Sequence, residues 1–245
     1  LGVGLQFFDE GNPTPFGLVS LLVAGMLLLV SFKVITEWFD DTPEGNPVVT
    51  LEVSYVPSGF GEGDRITASV EIELYPDEAP IHVENFLLLN EMLRYDSTPF
   101  HRIINDFMIQ GGDFENRDGS GGYTGKWYGY CNGKEYDSQG ESYTSETCDQ
   151  SSWTLPDETE NGLLHAPGSL AMAKTSSPNT GSSQFYIVPA DSTPSHLDGI
   201  HTVFGSVVSG LDHVTAISEV QTDSSDEPIY EVNLVQITVD YYSVS

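Results

Sequence analysis

Polar and apolar residues alternate through Phe100–Phe114, reading Phe-His-Arg-Ile-Ile-Asn-Asp-Phe-Met-Ile-Gln-Gly-Gly-Asp-Phe, on both sides of an Asn105-Asp106 pair. A period of two broken by turn residues predicts two short strands that carry Arg102, Phe107, Met108 and Gln110 together, with Gly111-Gly112 ending the second. The same pattern predicts strands at Val48–Tyr55 and Ile66–Tyr75, separated by the glycine-rich turn Ser58–Asp64. From Ile81 to Arg94 the period becomes helical, and Val83, Phe86, Leu87, Asn90 and Leu93 share the face expected to be buried. Between Glu115 and Gly162, glycine, serine, tyrosine and acids follow one another without a clear period, which predicts a long loop.

The first 47 residues follow a different pattern. Residues 16–32 carry no charge, and Val34-Ile35 and Trp38-Phe39 continue the apolar run past Lys33. A helix over residues 15–39 would be long enough to cross a membrane, with Lys33 snorkelling and Trp38 at the interface. A signal peptide fits less well, because no basic region precedes the run and no small-x-small site follows it. The expected organisation is an N-terminal segment (1–14), a single membrane anchor (15–39), an acidic, proline-containing linker (40–47) and a globular domain (48–245). The chain opens on Leu1 rather than methionine, as a fragment or a processed form would.

Charge narrows the partners. With 37 acidic residues against 8 basic ones and a formal net charge of −29, the chain repels phosphate backbones, so nucleic acid is not an expected partner. The acids are scattered, as on the solvated surface of a protein that works in high salt. Asp113, Glu115 and Asp118 lack the regular ligand spacing of a calcium loop, and no metal is expected. Cys131 and Cys148 lie inside the long loop without a histidine cluster, which leaves a disulfide or two idle thiols. The loop has little with which to build a core, and a bridge would restrict the unfolded chain by about 3 kcal/mol in the loop-entropy model. The bridge is the preferred reading.

An arginine beside an aromatic, a thioether and an amide, with no nucleophile among them, suits a substrate that is gripped and polarised rather than cleaved. No Gly-x-Ser-x-Gly elbow is present, which sets a serine hydrolase aside. Phe100–Phe114 closely resembles the signature of the cyclophilins, peptidyl-prolyl cis-trans isomerases built on an eight-stranded antiparallel barrel capped by two helices. Leu163–Ala173, Pro178–Ile187 and His196–Gly205 resemble three further blocks of that family in the same order, and Glu73–Phe86 resembles its first hairpin and helix. The resemblance implies a second helix at Gly210–Ser218 and a last strand at Val232–Val239. It leaves out the anchor and an insertion at about 123–155 that holds both cysteines.

By that resemblance Arg102 is the main catalytic residue, with Phe107 and Gln110 beside it. Met108, Tyr186, Leu197 and His201 match the pocket for the proline ring. Gln184 and the backbone around Ala173 and Lys174 match the groups that hold the peptide. Three positions depart from the common pattern: Tyr186 replaces phenylalanine and adds a hydroxyl at the pocket wall, Lys174 replaces asparagine, and His196 replaces tryptophan on the pocket rim. Cyclosporin, a ligand associated with the family, should therefore bind more weakly. No cofactor is implied. His101 and His165 are expected to be structural hydrogen-bonders, and His82 and His213 to be solvated.

The resulting expectation is an isomerase acting on proline-containing polypeptides and assisting their folding. The alternative is a domain that binds or scaffolds proline segments without turnover, which would keep the pocket and not need Arg102. Lys33 on the C-terminal side of the anchor nominally keeps the domain inside, whereas a cysteine bridge argues for an oxidising compartment. The expected location is a single-pass membrane protein with its catalytic domain outside the cytoplasm.

Overall fold

The computed structural model describes Phe8–Asp9, Asn12–Pro13 and residues 45–241. The apolar run at 15–39 lies outside the described residues, and among those residues no helix is long and apolar enough to cross a membrane. The N-terminal unit shows one feature, an antiparallel pairing of Phe8–Asp9 with Asn12–Pro13. All further elements belong to the unit that begins at Gly45.

That unit is built on one antiparallel sheet. Its strands are β1 (Pro47–Tyr55), β2 (Ile66–Leu74), β3 (Thr98–Pro99), β4 (Arg102–Ile104) and β5 (Met108–Gly111), and, after the long loop, β8 (Ser169–Met172), β9 (Phe185–Ile187), β10 (Val203–Ser209) and β11 (Asn233–Tyr241). Within the loop, β6 (Tyr130–Cys131) and β7 (Trp153–Thr154) form a separate two-stranded ladder. The nine strands of the main sheet run in the order β3-β11-β1-β2-β10-β8-β9-β5-β4. The two end members, β3 and β4, are separated in sequence by only Phe100 and His101. A chain advances at most about 3.6 Å per residue, so the sheet must curl until its two edges nearly meet. The family resemblance implies eight strands, and the described residues form nine in this sheet. The added one comes from Thr98–Ile104, which bends at Phe100-His101 and enters the sheet twice.

Alternation sorts the side chains into two populations. Val49, Leu51, Val53 and Tyr55 of β1 and Val70, Ile72 and Leu74 of β2 point into the main core with Ile103, Ile109, Leu170 and Ile187. Phe86, Phe100, Phe185 and Phe204 lie at the same centre, Phe86 and Phe185 edge to face at 5.5 Å. The opposite face of β5, β8 and β9 gathers Met108, Ala171 and Tyr186, with Val188 and Val203, into a second, smaller cluster. A one-residue slip would exchange the two sets, so burial on both faces fixes the register.

Two α-helices complete the unit, α1 (Pro80–Glu91) and α2 (Leu211–Ser218). Proline at the first position of α1 removes one of the amides that would otherwise need a partner. The next two amides, of Ile81 and His82, donate to the carboxylate of Glu158 at 3.1 and 3.0 Å. The helix stops before the expected Arg94: Leu93 has φ 56° and is 68% exposed, off the face on which helical spacing would place it. The inserted loop is closed by a Cys131–Cys148 disulfide with a Cα–Cα distance of 5.9 Å. Trp153 Nε1 donates to the Cys148 carbonyl at 3.0 Å and packs edge-on against Trp127, which gives the loop a small core of its own.

Candidate active site

Ladder register, more than sequence proximity, assembles the site. Arg102 stands opposite Gln110, Gln110 opposite Tyr186, and Tyr186 opposite Ala171, so one rung crosses four strands. Directly opposed residues share a face of the sheet, and this rung lies on the face with the smaller cluster. Two residues along β5, Met108 adds to the same face. The β4–β5 turn keeps Asp106 in the left-handed region at φ 56° and delivers Phe107 beside them.

These residues surround a cavity of about 170 Å³ lined by Arg102, Phe107, Met108, Gln110, Ala173, Lys174, Tyr186, Leu197 and His201. Gln184 does not line it. Its amide donates to the carbonyls of Gly119 and Gly121 at 2.9 and 2.7 Å, and its Oε1 accepts from Gln110 Nε2 at 2.9 Å. A neighbouring polar cavity of about 450 Å³ contains Gln184, shares Gln110, Ala173 and Lys174 with the first, and is walled in part by Asn132, Ser151 and Thr154 of the inserted segment. His196 also stands outside the pocket wall and stacks on Phe107 at 5.8 Å between ring centroids. The Ala173 amide donates to the Gln184 carbonyl at 3.0 Å, and Lys174 Nζ lies 3.4 Å from Asp157.

The Tyr186 hydroxyl is not at the pocket wall where the sequence suggested it. It is turned behind the wall, 2.7 Å from His165 Nε2, while His165 Nδ1 lies 2.8 Å from Asp198 Oδ1. Burial lowers the His165 pKa despite Asp198, and the neutral imidazole then donates through Nδ1 and accepts the tyrosine hydroxyl proton. Burial likewise lowers the pKa of His201, whose Nδ1 donates to the Met172 carbonyl at 2.9 Å. No metal-binding cluster occurs among the described residues.

Two histidines depart from expectation. His82 is not solvated: it is fully buried, with Nδ1 2.6 Å from Glu158. His101 is buried, and neither ring nitrogen has a hydrogen-bond partner among the described residues; burial lowers its pKa, with Asp113, Asp118 and Gln184 acting the other way.

Sequence reading misses the partner of Arg102 altogether. Arg102 Nε lies 3.3 Å from Asp226 Oδ2, both side chains being about two-fifths exposed. Asp226 sits in the α2–β11 loop at φ 65°, and its carbonyl accepts the Ile103 amide at 2.8 Å, which pins the loop to β4. Nothing in the local pattern around residue 226 connects it to a strand more than a hundred positions earlier.

The sequence model of the family described as "Cyclophilin type peptidyl-prolyl cis-trans isomerase/CLD" matches residues 64–239. The chain belongs to the cyclophilins. It is similar to peptidyl-prolyl cis-trans isomerase-like 1 of Neurospora crassa, 38% identical over 168 residues that cover 69% of this chain and 86% of that one. Peptidyl-prolyl cis-trans isomerase 9 of Schizosaccharomyces pombe is 38% identical over 175 residues, 70% of this chain and 24% of the relative. This chain spans about a quarter of the length of that protein and of two similarly long Arabidopsis thaliana relatives. Among solved structures, a Cryptosporidium parvum cyclophilin-type peptidyl-prolyl cis-trans isomerase superposes with a TM-score of 0.59 at 25% identity, covering 80% of this chain and 98% of that one. The family match ends two residues before the last described strand position, so nearly the whole cyclophilin sheet lies within it apart from β1.

Proposed function

We propose that this cyclophilin domain is a peptidyl-prolyl cis-trans isomerase with Arg102 as its catalytic residue. The observation that carries the reading is the rung that sets the Arg102 guanidinium at the edge of an apolar cavity lined by Phe107, Met108, Tyr186 and Leu197. Rotation about a prolyl bond is opposed by about 20 kcal/mol of lost amide resonance, while the two planar forms differ by about 1 kcal/mol. A catalyst for this step needs no nucleophile or metal; it must bind the twisted bond more tightly than either planar one. With the ring seated in the cavity, a guanidinium N–H donates to the prolyl nitrogen as its lone pair localises. Asp226 engages Nε, which leaves the two terminal nitrogens for substrate.

Arginine suits this task because its charge is permanent and its donors form a rigid fork. Replacing it in Arg102→Ala should lower kcat/KM by about 10²–10³-fold, as for loss of one preorganised transition-state donor. Folding should survive, because a half-exposed ion pair contributes about 1 kcal/mol or less. A rate within a factor of two of the parent would end the assignment of Arg102. The Arg102–Asp226 pair itself favours a second reading, a proline-binding domain without turnover, since it partly withdraws the guanidinium. Peptide binding without isomerisation by the parent chain decides for that reading.

We further infer a folding-assisting role for proline-containing polypeptides outside the cytoplasm, at a membrane reached through the apolar run at 15–39. A bridged Cys131–Cys148 pair supports an oxidising compartment. Alkylation of protein isolated without reductant tests this, and free thiols count against it.

A further inference from the structure

The segment inserted between β5 and β8 reaches the polar cavity of about 450 Å³ beside the proline cavity and supplies Asn132, Ser151 and Thr154 to its wall. We propose that this segment determines substrate specificity: tied by the Cys131–Cys148 bridge, it holds Asn132 and Ser151 where they select an uncharged, hydrogen-bonding side chain on a residue flanking the proline. This rests on the isomerase reading only in assuming that the ring occupies the proline cavity.

The segment is braced in that place. Cys131 and Lys134 exchange backbone hydrogen bonds of 2.8 and 3.1 Å around Asn132 and Gly133, whose φ angles are 48° and 78°. Asparagine followed by glycine is the pair that such a two-residue turn favours. The Asn132 amide donates to the Ser152 carbonyl at 2.8 Å, and the Gly133 amide to Thr154 Oγ1 at 3.0 Å. A Cβ at position 133 would lie 2.7 Å from Thr180 Cγ2, so the turn abuts a residue of the cavity's other wall. Asn132 directly follows Cys131, and Ser151 lies three residues after Cys148. The bridge therefore ties together the two stretches that carry the selecting side chains.

The wall's chemistry defines the occupant. Ala173 contributes its one apolar side chain, and Lys174 is its one charged residue. That charge is offset, since Lys174 Nζ lies 3.4 Å from Asp157 and the lysine side chain is only 4% exposed. Several polar groups around the cavity are already engaged. Thr175 and Thr180 bond each other through their hydroxyls at 2.8 Å, Ser120 donates to Asp118 at 2.6 Å, and Gln184 Nε2 serves Gly119 and Gly121. Asn132 and Ser151 are exposed, and among the described residues no hydrogen bond engages either side chain. They offer an amide and a hydroxyl, each able to donate and accept. Reach is sufficient, because the two cavities share Gln110, Ala173 and Lys174 and an extended peptide advances about 3.3–3.6 Å per residue.

The test uses the full chain and short proline peptides that carry glutamine or leucine at one of the two positions on either side of the proline. Both side chains are neutral and similar in size, so the field of a chain with net charge −29 cancels from their ratio. Isomerisation gives kcat/KM and calorimetry gives Kd. The variants are Asn132→Gly/Ser151→Ala, which keeps a residue at ease with positive φ in the turn, and Cys131→Ser/Cys148→Ser. At one position the parent should prefer glutamine by about fivefold, and both variants should prefer it by less than about twofold. A capped Ala-Pro dipeptide, too short to reach the inserted segment, should be turned over equally by all three proteins. Equal handling of glutamine and leucine by the parent at every position overturns the proposal, and so does a preference that survives in Asn132→Gly/Ser151→Ala. If the cysteine variant fails to fold, that other variant decides. If no peptide is isomerised the isomerase reading fails, and the ratio of Kd values alone decides for or against the selecting wall.

Discussion

Asp113 offers the sharpest test of how the site is held. It follows Gly111-Gly112 and is fully buried. Its Oδ1 accepts the amides of Glu115 and Asn116 at 3.1 and 3.0 Å, and its Oδ2 those of Asp118, Gly119 and Gly121 at 3.3, 2.9 and 3.0 Å. Asp113→Asn keeps the volume and one oxygen but puts an NH₂ group where the other stood. Whichever way the amide turns, at least two backbone donors then face a donor. Leaving a buried donor unmade costs about 1–3 kcal/mol each, and partial relaxation of a surface loop reduces the sum to about 2–4 kcal/mol. For a domain of this size each kcal/mol shifts Tm by about 2–4 °C, so the variant should melt about 4–16 °C lower.

The same substitution carries a pH signature. Burial would raise the Asp113 pKa, but backbone donors from Asn116, Gly121 and Gly119 outweigh it and hold the carboxyl below its ordinary value. A carboxylate whose folded pKa is depressed contributes stability above its unfolded pKa of about 3.9, and loses it as pH falls through the folded value. The gap in Tm between parent and Asp113→Asn should be complete at neutral pH and narrow below about pH 4. Calorimetric melts across the acid range measure it. A variant within about 2 °C of the parent at neutral pH, or a gap that stays constant into acid, would refute the reasoning.

Three other outcomes are expected. Tyr186→Phe should lower stability by about 1–2 kcal/mol, seen in Tm, because His165 Nε2 loses its partner, and should affect turnover less since the hydroxyl faces away from the pocket. His196→Trp should strengthen cyclosporin binding by about fivefold in calorimetry, through a few tens of Å² more apolar area over Phe107 worth about 1 kcal/mol, and should change turnover of a short peptide much less. Tm should climb between about 0.01 and 1 M salt as the Debye length falls from about 30 to about 3 Å; a flat profile would mean that the acids are well spaced or paired.

What was legible in the sequence follows the range over which each feature is determined. Period-two alternation through Arg102–Gln110 is a local property, and it places Arg102, Met108 and Gln110 on one face before any fold is known. The family blocks supply Tyr186, Leu197 and His201. The end of α1 was less legible, since Leu93 keeps the apolar period while its left-handed φ terminates the helix. Loop partners were illegible. Asp226 reaches Arg102 only because α2 and its following loop fold back against β4, and no pattern within that loop encodes the meeting. His82 and His101 were misjudged for a related reason: a histidine's partners, or its lack of them, depend on segments far along the chain, in the first case Glu158.

The hydrogen bonds also explain why two amides stand in the site of so acidic a chain. Gln184 Nε2 donates to the carbonyls of both Gly119 and Gly121, and this commitment turns its Oε1 toward Gln110. One N–H of Gln110 Nε2 is thereby committed, which fixes the direction of the amide opposite Arg102 on the ladder. Donor and acceptor directions are thus relayed from the loop that Asp113 shapes to the edge of the proline cavity. A glutamate at 184 would set a carboxylate oxygen, in place of Nε2, against both carbonyl oxygens, while its other oxygen could still accept from Gln110. With 37 acidic residues in the chain, position 184 is one where ionic repulsion and geometry both require a neutral side chain with a donor at one end and an acceptor at the other.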